Sequence, residues 1–180
     1  MSDGNWSDYV ADAGSDPAAL SDVGTSMGDA IDTTQTDLAG VDTSALTDAG
    51  YGDAAGDVSS AQGDLTDAAS WQQWSQGDLA DAQSWQNESA GDVQQAADWA
   101  AWGNPDAAAE SLNSAQTASD IASNTAGTAG TDLGIAADYT DSAYSSVSDA
   151  STDTSAVDTS SYDTSAVDTS AVDTSSDSSV

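Results

Sequence analysis

The sequence contains no lysine, arginine, histidine or cysteine, and these absences exclude most kinds of chemical site. Without cysteine there is no disulfide and no thiolate metal site, and the redox compartment is not indicated. Without histidine or lysine, no Ser or Thr hydroxyl gains the neighbouring base of the usual catalytic dyads and triads. We therefore expect the protein not to be an enzyme.

The charge is entirely of one sign. The chain carries 32 acidic residues and a formal net charge of -32, and only Glu88 and Glu110 among them are glutamate. Self-repulsion on this scale opposes a compact state. Three conditions make this repulsion tolerable. The first is high salt, since the Debye length falls to about 3 Å at 1 M. The others are bound divalent cations or low pH, and a strongly basic partner. We expect no cofactor beyond weak, non-specific divalent cations.

The missing basic residues also restrict partners and location. Nothing in the chain neutralises a phosphate, so we expect no direct binding of nucleic acid or of an anionic membrane. Residues 1–6 lack the basic and apolar segments of a secretory signal, and no apolar run has the length of a membrane span. The compartment is unknown: an extracellular or particle surface and a high-salt cytoplasm are equally open.

Large apolar residues are scarce, since phenylalanine is absent and Leu, Ile and Val are scattered among small residues. This predicts a thin seam of small side chains in place of a thick core. The fold class we expect is all-α: an antiparallel, Ala-rich helical hairpin with a third N-terminal helix, together a bundle over residues 15–150, followed by a disordered acidic C-terminal tail.

The N-terminal third predicts a flexible lead-in over residues 1–14 and then one helix over about 16–45. Ser15-Asp16-Pro17 supplies a capping oxygen before a first-turn proline, and apolar residues from Leu20 to Val41 recur at threes and fours. We interpret Asp42-Thr43-Ser44-Ala45-Leu46 as a linker.

Residues 56–103 repeat every fourteen positions and predict the first hairpin helix. The segment 63–72 returns as 77–86, and a looser copy follows at 91–100. Two heptad columns follow from this repeat. The a column is Val58, Leu65, Gln72, Leu79, Gln86, Val93 and Ala100, and the d column is Ala61, Ala68, Ser75, Ala82, Ser89, Ala96 and Gly103. A third column holds Gly56, Gly63, Gly77 and Gly91, which mark either close approach of another backbone or tolerated positions.

Trp102-Gly103-Asn104-Pro105-Asp106 predicts the end of this helix and the start of the next, so the two helices are antiparallel neighbours. The second hairpin helix, about 105–150, carries alanine at seven consecutive heptad positions: Ala108, Ala115, Ala122, Ala129, Ala136, Ala143 and Ala150. A companion column reads Leu112, Ser119, Ala126, Leu133, Thr140 and Val147. Gly127, Gly130 and Gly134 are expected to kink or break this helix. Such an alanine column favours unusually close packing of two helices.

From residue 151 the period becomes five, with units such as Asp163-Thr164-Ser165-Ala166-Val167. High polarity and low complexity predict a disordered tail over 151–180.

The candidate contact residues are the seven alanines and five tryptophans. Trp71, Trp85 and Trp99 precede the a column by one position, which favours packing beside the seam, although an aromatic platform for a carbohydrate is the alternative. Trp74 and Trp102 fall off that column and are candidates for an exposed patch or a self-association contact. Carboxylate pairs at i, i+3, such as Asp64 with Asp67, favour a solvated acidic face over a metal or acid–base site.

The Trp102-Gly103 turn resembles that of the small WXG-type substrates of the type VII secretion apparatus. The resemblance covers only the turn: the intervening residue is missing, and no Tyr-x-x-x-Asp/Glu signal follows the second hairpin helix. It implies a small secreted helical-hairpin substrate.

Three functional hypotheses follow. The first is a non-enzymatic structural or assembly protein, whose acidic helices self-associate through Ala and Trp seams when salt or divalent cations screen the charge. The second is an acidic decoy that binds a basic, nucleic-acid-binding protein. The third is the secreted substrate of the type VII resemblance. A further interpretation is that the charge reflects a salt-accumulating habitat, although the near absence of Glu and the complete absence of Arg exceed what habitat alone predicts; it is compatible with the first hypothesis.

Overall fold

The structure, a computed structural model, describes residues 5–14 and 16–158. Every regular element in this part is an α-helix: α1 (Trp6–Ala13), α2 (Pro17–Ala39), α3 (Thr43–Asp48), α4 (Gly52–Ala101) and α5 (Pro105–Asp158). The long helices α4 and α5 have 50 and 54 residues and therefore extend about 75 and 80 Å. They pack along each other in an antiparallel hairpin, which confirms the predicted all-α fold.

The link between the two long helices is a glycine-terminated helix end. Gly103 has a φ of 76°, its N–H donates to the Ala100 carbonyl at 3.1 Å, and the Asn104 N–H donates to the Trp99 carbonyl at 3.0 Å. This pair of bonds is the Schellman motif. The Asn104 side chain then accepts from the Ala107 N–H at 3.2 Å and caps α5. The predicted end of one helix and start of the next are confirmed.

Small residues form the seam between α4 and α5. All seven alanines of the column from Ala108 to Ala150 are buried, and so are the facing Ala61, Ala68, Ser75, Ala82 and Ala96. Two serines bridge the helices: Ser75 Oγ donates to the Ala129 carbonyl and Ser89 Oγ to the Ala115 carbonyl, each at 2.8 Å. The fourteen-residue spacing of the serines matches that of the two carbonyls, so these bonds define one register along the seam.

The three shorter helices pack on one end of the hairpin. We call this end the proximal half (residues 52–79 and 126–158) and the turn end the distal half (80–101 and 105–125). Helix α2 runs antiparallel to α4 and buries Leu20, Met27 and Ile31 against the hairpin. The core of the protein therefore lies in the proximal half, where four or five helices meet.

The predicted flexible lead-in is wrong for residues 6–13, which form α1. Trp6 and Val10, one helical turn apart, are buried against the hairpin. The Asp141 carboxylate of α5 accepts hydrogen bonds from the Trp6 N–H at 3.1 Å and the Ser7 N–H at 3.4 Å. A partner 135 residues away therefore stabilises this helix start.

The single N-terminal helix predicted over 16–45 is also corrected. It begins as expected, with Asp16 accepting from the Ala18 N–H at 2.9 Å, but ends at Ala39. The segment interpreted as a linker at 42–46 starts α3, because the Asp42 carboxylate caps the N–H groups of Ser44 and Ala45 at 3.0 Å.

The expected break in α5 is wrong, because the helix is unbroken from Pro105 to Asp158. A Cβ added at Gly127 or Gly134 would meet nothing within 4 Å. These two glycines therefore lower the helix propensity but are not required by close packing. Helix α5 also continues past the predicted end at 150, as far as residue 158. The rest of the predicted disordered tail, 159–180, lies outside the described residues.

Candidate functional site

Four tryptophans lie on α4, and a fifth, Trp102, is its C-cap residue. Trp71, Trp85 and Trp99 are half-buried beside the seam, whereas Trp74 and Trp102 are 57% and 74% exposed. Trp71 meets Trp74 edge to face at 4.7 Å and 84°, and Trp99 meets Trp102 at 5.2 Å and 89°. The two pairs are twenty-eight residues apart, about 42 Å along the helix, and each presents one exposed indole.

The seven alanines of α5 are used differently. They lie in the contact between α4 and α5 of one chain and are buried there. This column builds the hairpin and is not open to a second molecule. Any association between molecules must therefore use other residues.

A second face of the hairpin, formed by the a column of α4 and the companion column of α5, receives α2 in the proximal half. Gln72 Nε2 donates to the Gly24 carbonyl at 3.0 Å, and Leu133 Cδ1 lies 3.6 Å from where a Cβ on Gly24 would be. Gln72 and Leu133 thus meet the same point of α2. Nearby, Gln35 Nε2 donates to the Leu65 carbonyl at 3.1 Å and tightens this contact.

Beyond Gln86, which shares a cleft with Pro17 and Ala18 at the start of α2, none of the described helices covers this face in the distal half. Three heptads from Gln72 along α4 is Val93, and three heptads back from Leu133 along α5 is Leu112. The bonds from Ser89 to Ala115 and from Ser111 to Gln95 place these two residues at the same level. Val93 is 50% and Leu112 52% exposed. We call this surface, with Ser119, the distal face.

The predicted companion column of α5 is therefore wrong in the distal half. Leu112 and Ser119 are exposed there, and Ser111 and Ala118, one position earlier, are buried in their place. In the proximal half Ala126, Leu133 and Thr140 are buried as the column requires. The difference arises because α2 covers one side of the seam in the proximal half and begins at Pro17, which shares a cleft with Gln83 and Gln86 at the start of the distal half.

The four glycines of the repeat column in α4 do not mark a backbone approach. A Cβ added at Gly56, Gly63, Gly77 or Gly91 would meet nothing within 4 Å. These are tolerated positions on the solvent side. The close approach lies on α2, where a Cβ on Gly28 would stand 2.9 Å from Gln72 Nε2. Gly24 and Gly28 are four residues apart and therefore lie on one face of α2. This spacing was the sequence signal for the close approach of α2 to the hairpin.

The carboxylates are arranged for solvation. Within the described residues no group of three acidic side chains is placed to hold a metal ion. Asp64 of the repeat accepts from Ser142 Oγ at 2.7 Å. Burial, together with the nearby Asp78 carboxylate, raises the pKa of Asp132 above its ordinary value of 3.8. Among residues 5–14 and 16–158, no buried side-chain polar atom lacks a hydrogen-bond partner.

None of the helices in the described part of the chain combines the length and apolarity that a membrane span requires. Comparison with protein-family models, with curated proteins and with solved structures gave no significant match to this chain. Function must therefore be inferred from the residues themselves.

Proposed function

We propose that this chain is a non-enzymatic structural protein that assembles with copies of itself through the distal face. The observation that supports this is the equivalence of two layers of the hairpin. Gln72 and Leu133 contact α2, whereas Val93 and Leu112, at the equivalent positions three heptads away, are half exposed. Because the equivalent layer contacts a helix, the exposed pair Val93 and Leu112 is suited to pack against a helix of another molecule.

A second copy is the partner that this geometry suits. Two distal faces pack by a twofold axis, each presenting the same patch to the other, which is the commonest arrangement of homodimers. The product is a four-helix bundle at the turn end of both hairpins.

Charge makes this association conditional. Each chain carries a formal charge of -32 and no cationic side chain, so two copies repel each other at low ionic strength. Salt at about 1 M shortens the Debye length to about 3 Å and removes most of that repulsion. Divalent cations act in the same direction by binding weakly across the carboxylates.

The experiment is sedimentation velocity at about 0.1 M and about 1 M NaCl, and with added calcium. The wild-type chain should be monomeric in low salt and dimeric or larger in high salt. The double variant Val93→Asp, Leu112→Asp should stay monomeric throughout with unchanged helix content by circular dichroism.

The matched control is Val41→Asp, which adds a carboxylate at another exposed valine and should associate like the wild type. A wild-type chain that remains monomeric at every ionic strength contradicts the proposal. The acidic-decoy hypothesis predicts that result, together with stoichiometric binding of a basic protein.

A further inference from the structure

A cleft of about 870 Å³ opens at the proximal end between α1, α2 and α5. Its walls include three aromatic side chains and two carboxylates, Trp6, Tyr9, Tyr144, Asp29 and Asp141. None of these residues belongs to the distal face or to the α4–α5 seam. The cleft is therefore a second surface with its own chemistry.

The aromatic part of the cleft has a fixed floor and two open rings. Trp6 is buried, while Tyr9 and Tyr144 are 42% and 38% exposed. The rings of Trp6 and Tyr9 lie 5.8 Å apart with an interplanar angle of 56°. Aromatic faces within about 6 Å attract a cation through the ring quadrupole. The two exposed tyrosines both line the cleft and supply this interaction to a cation bound in it.

The polar part of the cleft offers mainly hydrogen-bond acceptors. The Asp141 carboxylate is held at the wall by the Trp6 N–H at 3.1 Å and by Ser7 Oγ at 3.3 Å. Thr33 and Thr34 donate their hydroxyl protons to carbonyls of their own helix, at 2.7 and 2.9 Å. Their remaining capacity is to accept. A ligand that donates several hydrogen bonds and carries positive charge matches these groups.

We propose that this cleft binds the guanidinium group of an arginine presented by a basic protein segment. Guanidinium donates five N–H groups, accepts none, and stacks on aromatic rings. A metal ion is a poorer fit, because no group of three acidic side chains in the described residues is placed to hold one. An anion is repelled by a chain with a formal charge of -32. A neutral sugar gains no binding energy from the negative charge of the chain, whereas a cation does.

The probe is an acetylated, amidated Gly-Arg-Gly-Arg-Gly peptide, measured by calorimetry against the same peptide with citrulline at both arginine positions. About 0.3 M NaCl suppresses diffuse attraction between exposed charges. We expect the arginine peptide to bind at least about tenfold more tightly than the citrulline peptide, the discrimination of one good charge-assisted contact. Tyr144→Leu and Asp29→Asn should each weaken the arginine peptide severalfold.

The matched control is Asp32→Asn, which removes an exposed carboxylate of α2 that does not line the cleft and should leave binding unchanged. Equal binding of the two peptides, or equal weakening by Asp29→Asn and Asp32→Asn, overturns the proposal. The proposal is also overturned if the chain binds a neutral oligosaccharide and does not bind the arginine peptide. None of these variants alters the distal face, so the result is independent of self-association.

Discussion

The proximal and distal halves of the hairpin have the same two helices, the same alanine seam and the same fourteen-residue repeat, yet only one of them has a core. In the proximal half, α2 adds Leu20, Met27 and Ile31 to the seam, and α1 adds Trp6 and Val10. In the distal half the a column includes an exposed Val93, at the same level as an exposed Leu112. The contrast shows that a heptad repeat specifies which residues align, whereas a third helix decides which of them are buried.

The largest expected effect contrasts one leucine from each half. Leu133 is fully buried beside Gly24 and Leu112 is half exposed at the equivalent layer. Leu133→Ala should lower the free energy of unfolding by about 2–5 kcal/mol, because truncating a buried leucine leaves a cavity. Leu112→Ala should change it by less than about 0.5 kcal/mol in low salt, where we expect the chain to be monomeric. Urea titration measures both, and equal costs would show that the halves do not differ.

The glycine column sharpens the comparison between solvent-facing and packed positions. Gly63, Gly77 and Gly91 have open space where an alanine methyl group would stand, so the triple change to alanine should stabilise the protein by about 2–3 kcal/mol through helix propensity. Gly28→Ala is the matched control. Its methyl group would displace the Gln72 amide from the Gly24 carbonyl, and this loss of about 0.5–1.5 kcal/mol should cancel the gain. The midpoint of thermal unfolding measures both variants. A gain for Gly28→Ala equal to one third of the gain of the triple variant would contradict this expectation.

The seam serines test whether the register bonds contribute in both halves. Ser75→Ala removes a buried donor to the Ala129 carbonyl and should cost about 1 kcal/mol. Ser89→Ala removes the equivalent, less buried bond in the distal half and should cost less. Ser59 donates only within its own helix, so Ser59→Ala is the control and should be close to neutral. A Ser75 effect no larger than that of Ser59 would show that the bridge contributes nothing to stability.

The smallest effect is electrostatic and depends on pH. Burial and the nearby Asp78 carboxylate raise the pKa of Asp132 above 3.8, so the folded chain binds this proton more tightly than the unfolded chain. Stability from this group is therefore present at low pH and is lost as pH rises through the folded pKa. Asp132→Asn should be more stable than wild type at pH 7 and equal to it near pH 3. Asp67→Asn, which removes an exposed carboxylate on α4, is the control for the loss of one negative charge.

Much of the fold was predictable because it depends on local spacing. The seven-residue alanine column and the Trp102–Asp106 turn are readable in the sequence, and both appear in the hairpin. Helix α1 was not predictable, since its start depends on the distant Asp141 carboxylate and on burial of Trp6. The shift of the buried stripe on α5 was not predictable either, because it depends on where α2 ends in space.

The candidate surface was predictable only in part. Exposed Trp74 and Trp102 follow from their position off the a column. Val93 and Leu112 were assigned to the seam by spacing, and only the position of α2 shows that they are half exposed. A repeat is the same along its length, so it contains no signal for the point at which a covering helix stops.

The most direct measurement is amide hydrogen exchange, residue by residue, at about 0.1 M and about 1 M NaCl. We expect strong protection of 58–79 and 130–150 at both salt concentrations. Protection of 86–101 and 105–119 should be weaker in low salt and should increase in high salt as distal faces pair. Uniform protection along both helices in low salt, or a gain confined to the proximal half, would contradict the proposed difference between the halves.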